Sequence, residues 1–198
     1  MLAAAILAAG ESRRMGTPKA LLPYRGKTFV AHLMGEAQHP RVGIVRVVLG
    51  AGAENIRAKL NLEPAEVVLN PDWPQGQLSS IQAAVRSLTG CSTEGLLLCP
   101  VDHPLISSAL IAQLIGEFDA GGNAIVLPTF HGRRGHPIIF RASLYQEILT
   151  ASPDVGARQV VWAHKEHTVE VPTEEEGVVL NLDDPEAFTK ATGRDFAV

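Results

Sequence analysis

Residues 2–19 read LAAAILAAGESRRMGTPK. Ala3–Leu7 is apolar without alternation, the pattern of a strand buried on both faces rather than one lying on a surface. Small residues follow at Ala8, Ala9 and Gly10, and then the cations Arg13, Arg14 and Lys19, with Gly16 permitting a turn among them. The same rhythm continues downstream. Helix-like stretches at Thr28–Gln38, Glu54–Leu60, Leu78–Leu88 and Ser107–Glu117 alternate with apolar runs at Val42–Leu49, Glu66–Leu69, Gly95–Cys99 and Ala124–Leu127. Alternating β and α segments with continuously apolar strands predict an α/β fold with a parallel, helix-covered sheet. In the last third, Ile138–Phe140 and Thr168–Val171 read as strands, and Ser143–Leu149, Val155–His164 and Pro185–Ala191 as helices. Gly121–Gly122, Pro172–Glu176 and the region around Gly132–Gly135 read as loops too short to separate domains, so one domain is expected over 1–198.

Composition narrows the function classes. The 198 residues are 46% hydrophobic and 19% charged, which is globular rather than disordered. No apolar run approaches the ~20 residues of a membrane span, so no membrane role is expected. The apolar start resembles a secretory core superficially, but its positive charges, Arg13 and Arg14, come after it rather than before, and the expectation is a cytoplasmic protein. Cys91 and Cys99 are too few for a disulfide framework or a four-thiolate zinc site. A formal net charge of −4 argues against a general nucleic-acid binder, so an anionic ligand must meet local basic clusters.

The loop after the first strand is one such cluster, at the end of the sheet where open α/β folds bind ligands. Leu7, Ala8, Ala9 and Gly10 let a flat base or a phosphate approach the backbone closely. Arg13 and Lys19 suit a triphosphate and the charge that develops as pyrophosphate leaves, although a solvated surface loop would carry similar residues. The segment is neither a Walker loop nor a dinucleotide fingerprint. VRVVLGAGAEN from Val45 has Gly50 and Gly52 after a strand, but Asn55 stands where a third glycine belongs, so it reads as an ordinary strand-to-helix turn.

Asp102, in PVDHPL, lies just beyond the carboxyl end of Gly95–Cys99. One well-placed carboxylate can anchor magnesium together with phosphate oxygens and water; an Asp before Pro104 also shapes turns. In NPDWPQGQLSS, Gly76 opens backbone access, and Ser79 and Ser80 begin a helix whose free N–H groups can meet polar ligand atoms. Trp73 reads as a packed loop anchor. Arg133 and Arg134 offer two guanidinium forks suited to a phosphate, with His136 just before a strand, and the same pair would suit a solvated hairpin tip. His103, His164 and His167 do not form a convincing zinc set, the last two reading as residues of a helix end.

With LAAGESRRMGTPK, ALLPYRGKTFVAHL, NPDWPQGQLSSIQAAV, CPVDHPLIS, GRRGHPIIF and NLDDPEAF in this order, the chain resembles the MobA-like nucleotidyltransferases nearly end to end. More narrowly it resembles their molybdenum cofactor cytidylyltransferase branch. The resemblance implies a Rossmann-like three-layer αβα fold with a mostly parallel sheet. It implies a magnesium-dependent transfer of CMP from CTP to the terminal phosphate of molybdopterin, with release of pyrophosphate. Ala9 gives the L-A-A-G start associated with CTP rather than the L-A-G-G start associated with GTP.

It further implies that Leu7, Ala8, Ala9, Gly10, Lys19, Gly76, Ser79 and Ser80 bind the nucleotide and that Lys19, Arg13 and Asp102 carry catalysis. Asp102 falls on the metal position, and Asn181 or Asp183 would supply a second ligand from a later strand. Here Asn181 stands where the branch more often has Asp, and Asp184 where it has Thr; Asp184 before Pro185 also fits a plain helix cap. Arg133, Arg134 and His136 lie toward the pterin side, as candidates for the acceptor phosphate. A molybdoenzyme or its chaperone is the implied recipient. GTP as donor, another phosphorylated acceptor, and a nucleotide-binding protein without chemistry are the alternatives.

Overall fold

The computed structural model describes residues 1–193, 195 and 196. In chain order its strands are β1 (Leu2–Ala8), β2 (Pro23–Tyr24), β3 (Lys27–Thr28), β4 (Val42–Leu49), β5 (Val67–Leu69), β6 (Gly95–Pro100), β7 (Ile125–Phe130), β8 (Arg133–Arg134), β9 (Ile138–Arg141) and β10 (Thr168–Pro172). Its α-helices are α1 (Phe29–Glu36), α2 (Ala53–Leu60), α3 (Gln77–Arg86), α4 (Ser108–Ala120), α5 (Tyr145–Thr150), α6 (Arg158–Ala163) and α7 (Pro185–Thr192).

The main sheet has the order β10-β7-β9-β6-β1-β4-β5, with β8 attached to β7. β1 lies near its middle, parallel to β4 and β6, and Leu2 through Ile6 are wholly buried. Its residues alternate between two cores. Leu2, Ala4, Ile6 and Ala8 face one, with Phe29 of α1, Phe118 of α4 and Phe188 of α7; Ala3, Ala5 and Leu7 face the other, with Ile81 of α3, Ile148 of α5 and Val160 of α6. Helices therefore cover both faces, which makes this the Rossmann-like three-layer αβα architecture expected from continuously apolar strands. No helix among the described residues is long and apolar enough to cross a membrane.

Helix starts follow the capping chemistry of the sequence. The hydroxyls of Thr28 and Ser107 accept from the amides of Ala31 at 3.2 Å and Leu110 at 3.1 Å. Asp184 does the same for Ala187 at 2.9 Å, with Pro185 at the first helical position of α7.

β9 runs antiparallel to both β6 and β7 while the other long strands pair in parallel, which gives the mostly parallel sheet expected. The last third departs from expectation in three places. The Gly132–Gly135 region contains a strand, β8, because His131 and Gly132 both take left-handed backbone (φ 47° and 75°) and fold β7 back on itself. That is the twist a two-residue hairpin needs, here without the usual Asn-Gly signal. The helix expected from Val155 begins only at Arg158, since Gly156 is left-handed (φ 73°) and helical backbone cannot run through it. Asn181 and Asp183 lie outside any strand, on the segment between the 3₁₀ turn Glu176–Val178 and α7.

That segment is fastened by backbone: the Leu182 amide donates to the Asp102 carbonyl at 2.8 Å, and the His136 amide to the Val178 carbonyl at 2.9 Å. Gly177 is where it passes closest to its neighbours, since an added Cβ would lie 2.2 Å from the Leu105 carbonyl oxygen. Gly177→Ala should therefore destabilise by about 1–3 kcal/mol through overpacking against backbone that cannot yield. Gly116→Ala, inside α4 where an added Cβ meets nothing within 4 Å, should stabilise by about 0.4–1 kcal/mol. Urea unfolding of both variants checks this; equal midpoints would contradict the packing described here.

Candidate active site

Two parallel neighbours that end level bring their following loops together. The register sets Leu7 of β1 against Pro100 of β6, and the Val101 amide donates to the Leu7 carbonyl at 3.1 Å. A cavity of about 660 Å³ opens at this edge, lined by both loops, by the start of α3, by the β8 hairpin and by the 178–183 segment.

The opening loop is anchored by its own residues. Met15 is buried in the core, and the Ser12 hydroxyl accepts from the Lys19 amide at 3.0 Å. Arg13–Met15 form a 3₁₀ turn, whose three residues per turn point successive side chains about 120° apart. With Met15 inward, Arg14 reaches Asp183 at 2.8 Å, whereas Arg13 turns to the rim, 81% exposed and paired with Glu11 at 2.6 Å. Both arginines line the cavity, the expected Arg13 from its rim and Arg14 nearer the aspartate. A signal existed in the buried methionine that follows, which fixes the rotation of the turn.

Lys19, only 11% exposed, gives its ammonium to the other oxygen of Asp183. Burial alone would raise the Asp183 carboxyl, but the hydrogen bonds and charges of Lys19 and Arg14 outweigh it and hold it below the usual carboxylate range. Asp102 faces the same cavity, and among the described residues its carboxylate makes no hydrogen bond or ion pair. Asn181 lines the cavity as well. A free carboxylate and an amide oxygen are hard donors of the kind magnesium takes, and two carboxylates are as many as it ordinarily uses. Each Asp183 oxygen already meets one cation, so a metal there would compete with Lys19 and Arg14 for its remaining lone pairs. The described residues hold no cluster of three or more His, Cys, Asp or Glu side chains arranged for a metal.

Leu7, Ala8, Ala9 and Gly10 form the edge of the cavity beside Gly76, Gln77 and Ser80. Gly76 takes φ 99° and ψ −175°, backbone essentially confined to glycine, and no side chain caps α3, so the Gln77 and Leu78 amides stay open while that of Ser79 donates to the Gly76 carbonyl at 3.2 Å. Ser79 does not line the cavity. It is buried, its hydroxyl donating to the Gly76 carbonyl at 2.8 Å and accepting from Asn70 at 2.9 Å. Asn70, 2% exposed, also bonds the Ser80 hydroxyl at 3.0 Å and accepts from the Asp72 amide at 3.1 Å. It organises the entire 72–80 turn, a task no local pattern in the sequence revealed.

Gly50, set aside as an ordinary turn, serves packing: an added Cβ would lie 2.6 Å from the Trp73 Cβ and 2.7 Å from the Ala9 carbonyl oxygen. Trp73 packs there and also borders the cavity.

On the opposite side, Arg133 and Arg134 both line the cavity, but Arg134 is bound to Glu170 at 2.6 Å. His136 packs against His103 with ring centroids 4.8 Å apart. Burial, and then the neighbouring His103, push His136 down to about 3, and burial also lowers His103, so both are neutral near pH 7. His164 and His167 sit at the end of α6, His164 paired with Glu147 at 2.6 Å, far in sequence from this pair.

Comparison with known proteins gives the family. Residues 4–169 match the MobA-like NTP transferase domain family, and the chain belongs to that family. Nicotine blue oxidoreductase of Paenarthrobacter nicotinovorans is 35% identical, covering 77% of this chain and 78% of that protein. Molybdenum cofactor cytidylyltransferase of Escherichia coli is 27% identical over 96% of this chain and 94% of that one. The crystal structure of Rv0371c from Mycobacterium tuberculosis H37Rv superposes with a TM-score of 0.78 at 26% identity, covering 98% and 97% of the two chains. The chain is a nucleotidyltransferase by family and fold.

A histidine neutral in the fold and chargeable once unfolded makes stability depend on pH. Below pH about 6.5 the unfolded chain binds the extra proton and the folded one does not, so the His136 contribution is complete above that value. It falls steadily as pH drops toward about 3. The slope of melting temperature against pH should be shallower for His136→Asn than for the parent between pH 6.5 and 4. Parallel slopes would show that the ring is charged in the folded protein.

Proposed function

We propose that the chain transfers CMP from CTP to the terminal phosphate of molybdopterin, releasing pyrophosphate, with magnesium bound at Asp102. The observation that carries this reading is the meeting, in one cavity, of Lys19 and Arg14 from the opening loop with Asp183 and the unpartnered Asp102. Likeness to the cytidylyltransferase over nearly the whole of both chains supports the choice of acceptor, and Ala9 supports CTP.

The residues divide the work by charge. The acceptor phosphate is already ionised near neutral pH, so it needs no protein base, and the site acts by positioning and neutralisation. Gly76, Ser80 and the Leu7–Gly10 backbone form the surface for base and ribose, with the open amides of α3 directed at polar ligand atoms. Lys19 and Arg14 take the triphosphate oxygens, and Arg13 meets the outermost ones from the rim when it leaves Glu11. Asp102, with Asn181 or Asp183, would hold magnesium, which would supply charge neutralisation of the phosphates. As the bond to the α-phosphorus breaks, Lys19 lies where negative charge grows on the departing pyrophosphate.

GTP as donor, or a different phosphorylated acceptor, would use the same machinery. Incubating the protein with magnesium and either CTP or GTP, against molybdopterin and a panel of sugar phosphates, separates these by pyrophosphate release. We expect turnover with CTP and molybdopterin. Turnover with GTP alone, or with a sugar phosphate alone, would replace this reading. Lys19→Ala should lower kcat/KM by roughly 100-fold or more. Asp102→Ala should abolish turnover while leaving the melting temperature within a few degrees, because the carboxylate holds nothing in the fold. Wild-type turnover in Asp102→Ala would remove it from the mechanism.

A further inference from the structure

A second cavity, of about 350 Å³, joins the first beneath the α6 side of the sheet. The two share Leu7, Gly76, Gln77, Pro100, His136 and Arg158 in their walls, so the smaller one opens directly beside the reaction edge. Their chemistry differs. The larger holds the lysine, arginines and aspartates described above, whereas the floor of the smaller is Leu78, Ile81, Leu98, Ile138, Phe140 and Val161. Charge appears only on its outer wall, at Asp154 and Arg158.

Arg158 stands at the junction. Among the described residues its side chain makes no ion pair or hydrogen bond, unlike Arg134, which Glu170 already holds. An unpartnered guanidinium at the mouth of an apolar cavity, next to a polar one built for phosphates, describes a ligand with two ends. One end is flat and uncharged and gains by leaving water; the other is anionic and meets a fork of donors.

We propose that this side cavity receives the fused-ring body of the acceptor and that Arg158 holds the acceptor's phosphate at the junction with the nucleotide site. The proposal rests on the nucleotidyl-transfer reading for its acceptor and moves the acceptor phosphate from the Arg133–Arg134 hairpin tip to the start of α6. It gives the attacking oxygen an approach from the side of the sheet opposite Lys19 and Asp183's loop, with the triphosphate cations left to the nucleotide. His136 and Gln77, in the shared wall, are the uncharged polar groups available to orient the ring.

Two kinds of measurement test this. Val161→Phe and Ala157→Phe each put bulk into the cavity from a half-buried position, and Arg158→Ala removes the charge at its mouth. With molybdopterin as acceptor, each should raise the acceptor KM at least about tenfold while the KM for CTP changes by less than about twofold. Arg158→Lys should recover part of the loss. Independently of turnover, 6-carboxypterin should bind the parent protein saturably by fluorescence quenching, bind equally in the presence of CTP, and bind weakly to both phenylalanine variants. An unchanged acceptor KM in both phenylalanine variants overturns the proposal, as does pterin binding that CTP displaces or that the parent lacks. Melting curves accompany each variant, and the two phenylalanines sit at different points of the wall, so one that fails to fold leaves the other to decide. If the parent transfers nothing to molybdopterin yet binds the pterin in this way, the acceptor identity fails and the cavity assignment stands. If it turns molybdopterin over and filling the cavity changes nothing, the reverse holds.

Discussion

Parallel pairing of β1 with β6, in the register that sets Leu7 against Pro100, brings together the loops that carry Arg14, Lys19 and Asp102. Two parallel strands ending level must both continue into loops at the same edge, and neither loop can choose a different face of the molecule. The register is itself imposed by burial. β1 packs on both sides, and a slip by one residue toward its carboxyl end would exchange its two cores, placing Leu2 where Ala3 now fits and Ile6 where Leu7 now fits. Loss of packing for two large aliphatic side chains would cost about 1.5–3 kcal/mol each, a large fraction of a domain's stability. The site therefore inherits its geometry from the least negotiable part of the core.

How much of this is legible in the sequence follows from where the determinants lie. β1, β4, β6 and β7 declare themselves because each is a continuous apolar run, and the helix starts because Thr28, Ser107 and Asp184 carry caps that act within four residues. The direction of β9 is not local: Ile138–Phe140 is equally apolar whichever way it runs, and only its insertion between β6 and β7 decides. β8 depends on His131 accepting left-handed backbone, a choice that composition does not announce.

The same distinction holds inside the site. Lys19 and Asp102 could be selected by position after strands and by motif, and Asp183 by motif as one of two alternatives with Asn181. Choosing between Arg13 and Arg14 required the rotation of a 3₁₀ turn, and that depends on Met15 finding a place in the core. Ser79 and Ser80 look equivalent as text, but α3 turns one into the fold and the other to the cavity edge. Asn70 was invisible for a further reason. Its three partners lie at positions 72, 79 and 80, and a buried amide reveals its value only when the groups it satisfies are known.

Asp183 balances two cations of the site. Lys19 and Arg14 both reach one carboxylate, so their ammonium and guanidinium lie close to each other. Like charges ~5 Å apart repel by about 3 kcal/mol at an effective dielectric of 20, and Lys19 has little water around it to soften that. The carboxylate offsets the repulsion from within the chain. Under the nucleotidyl-transfer reading, a triphosphate, with more charge and more oxygens than one aspartate, would take over both cations and free the Asp183 oxygens. On this view the affinity for nucleotide is a difference between two ion-paired states rather than the full strength of either. Under the nucleotidyl-transfer reading, that exchange would link anion binding to the freeing of a candidate metal ligand, so nucleotide and metal would favour each other's binding.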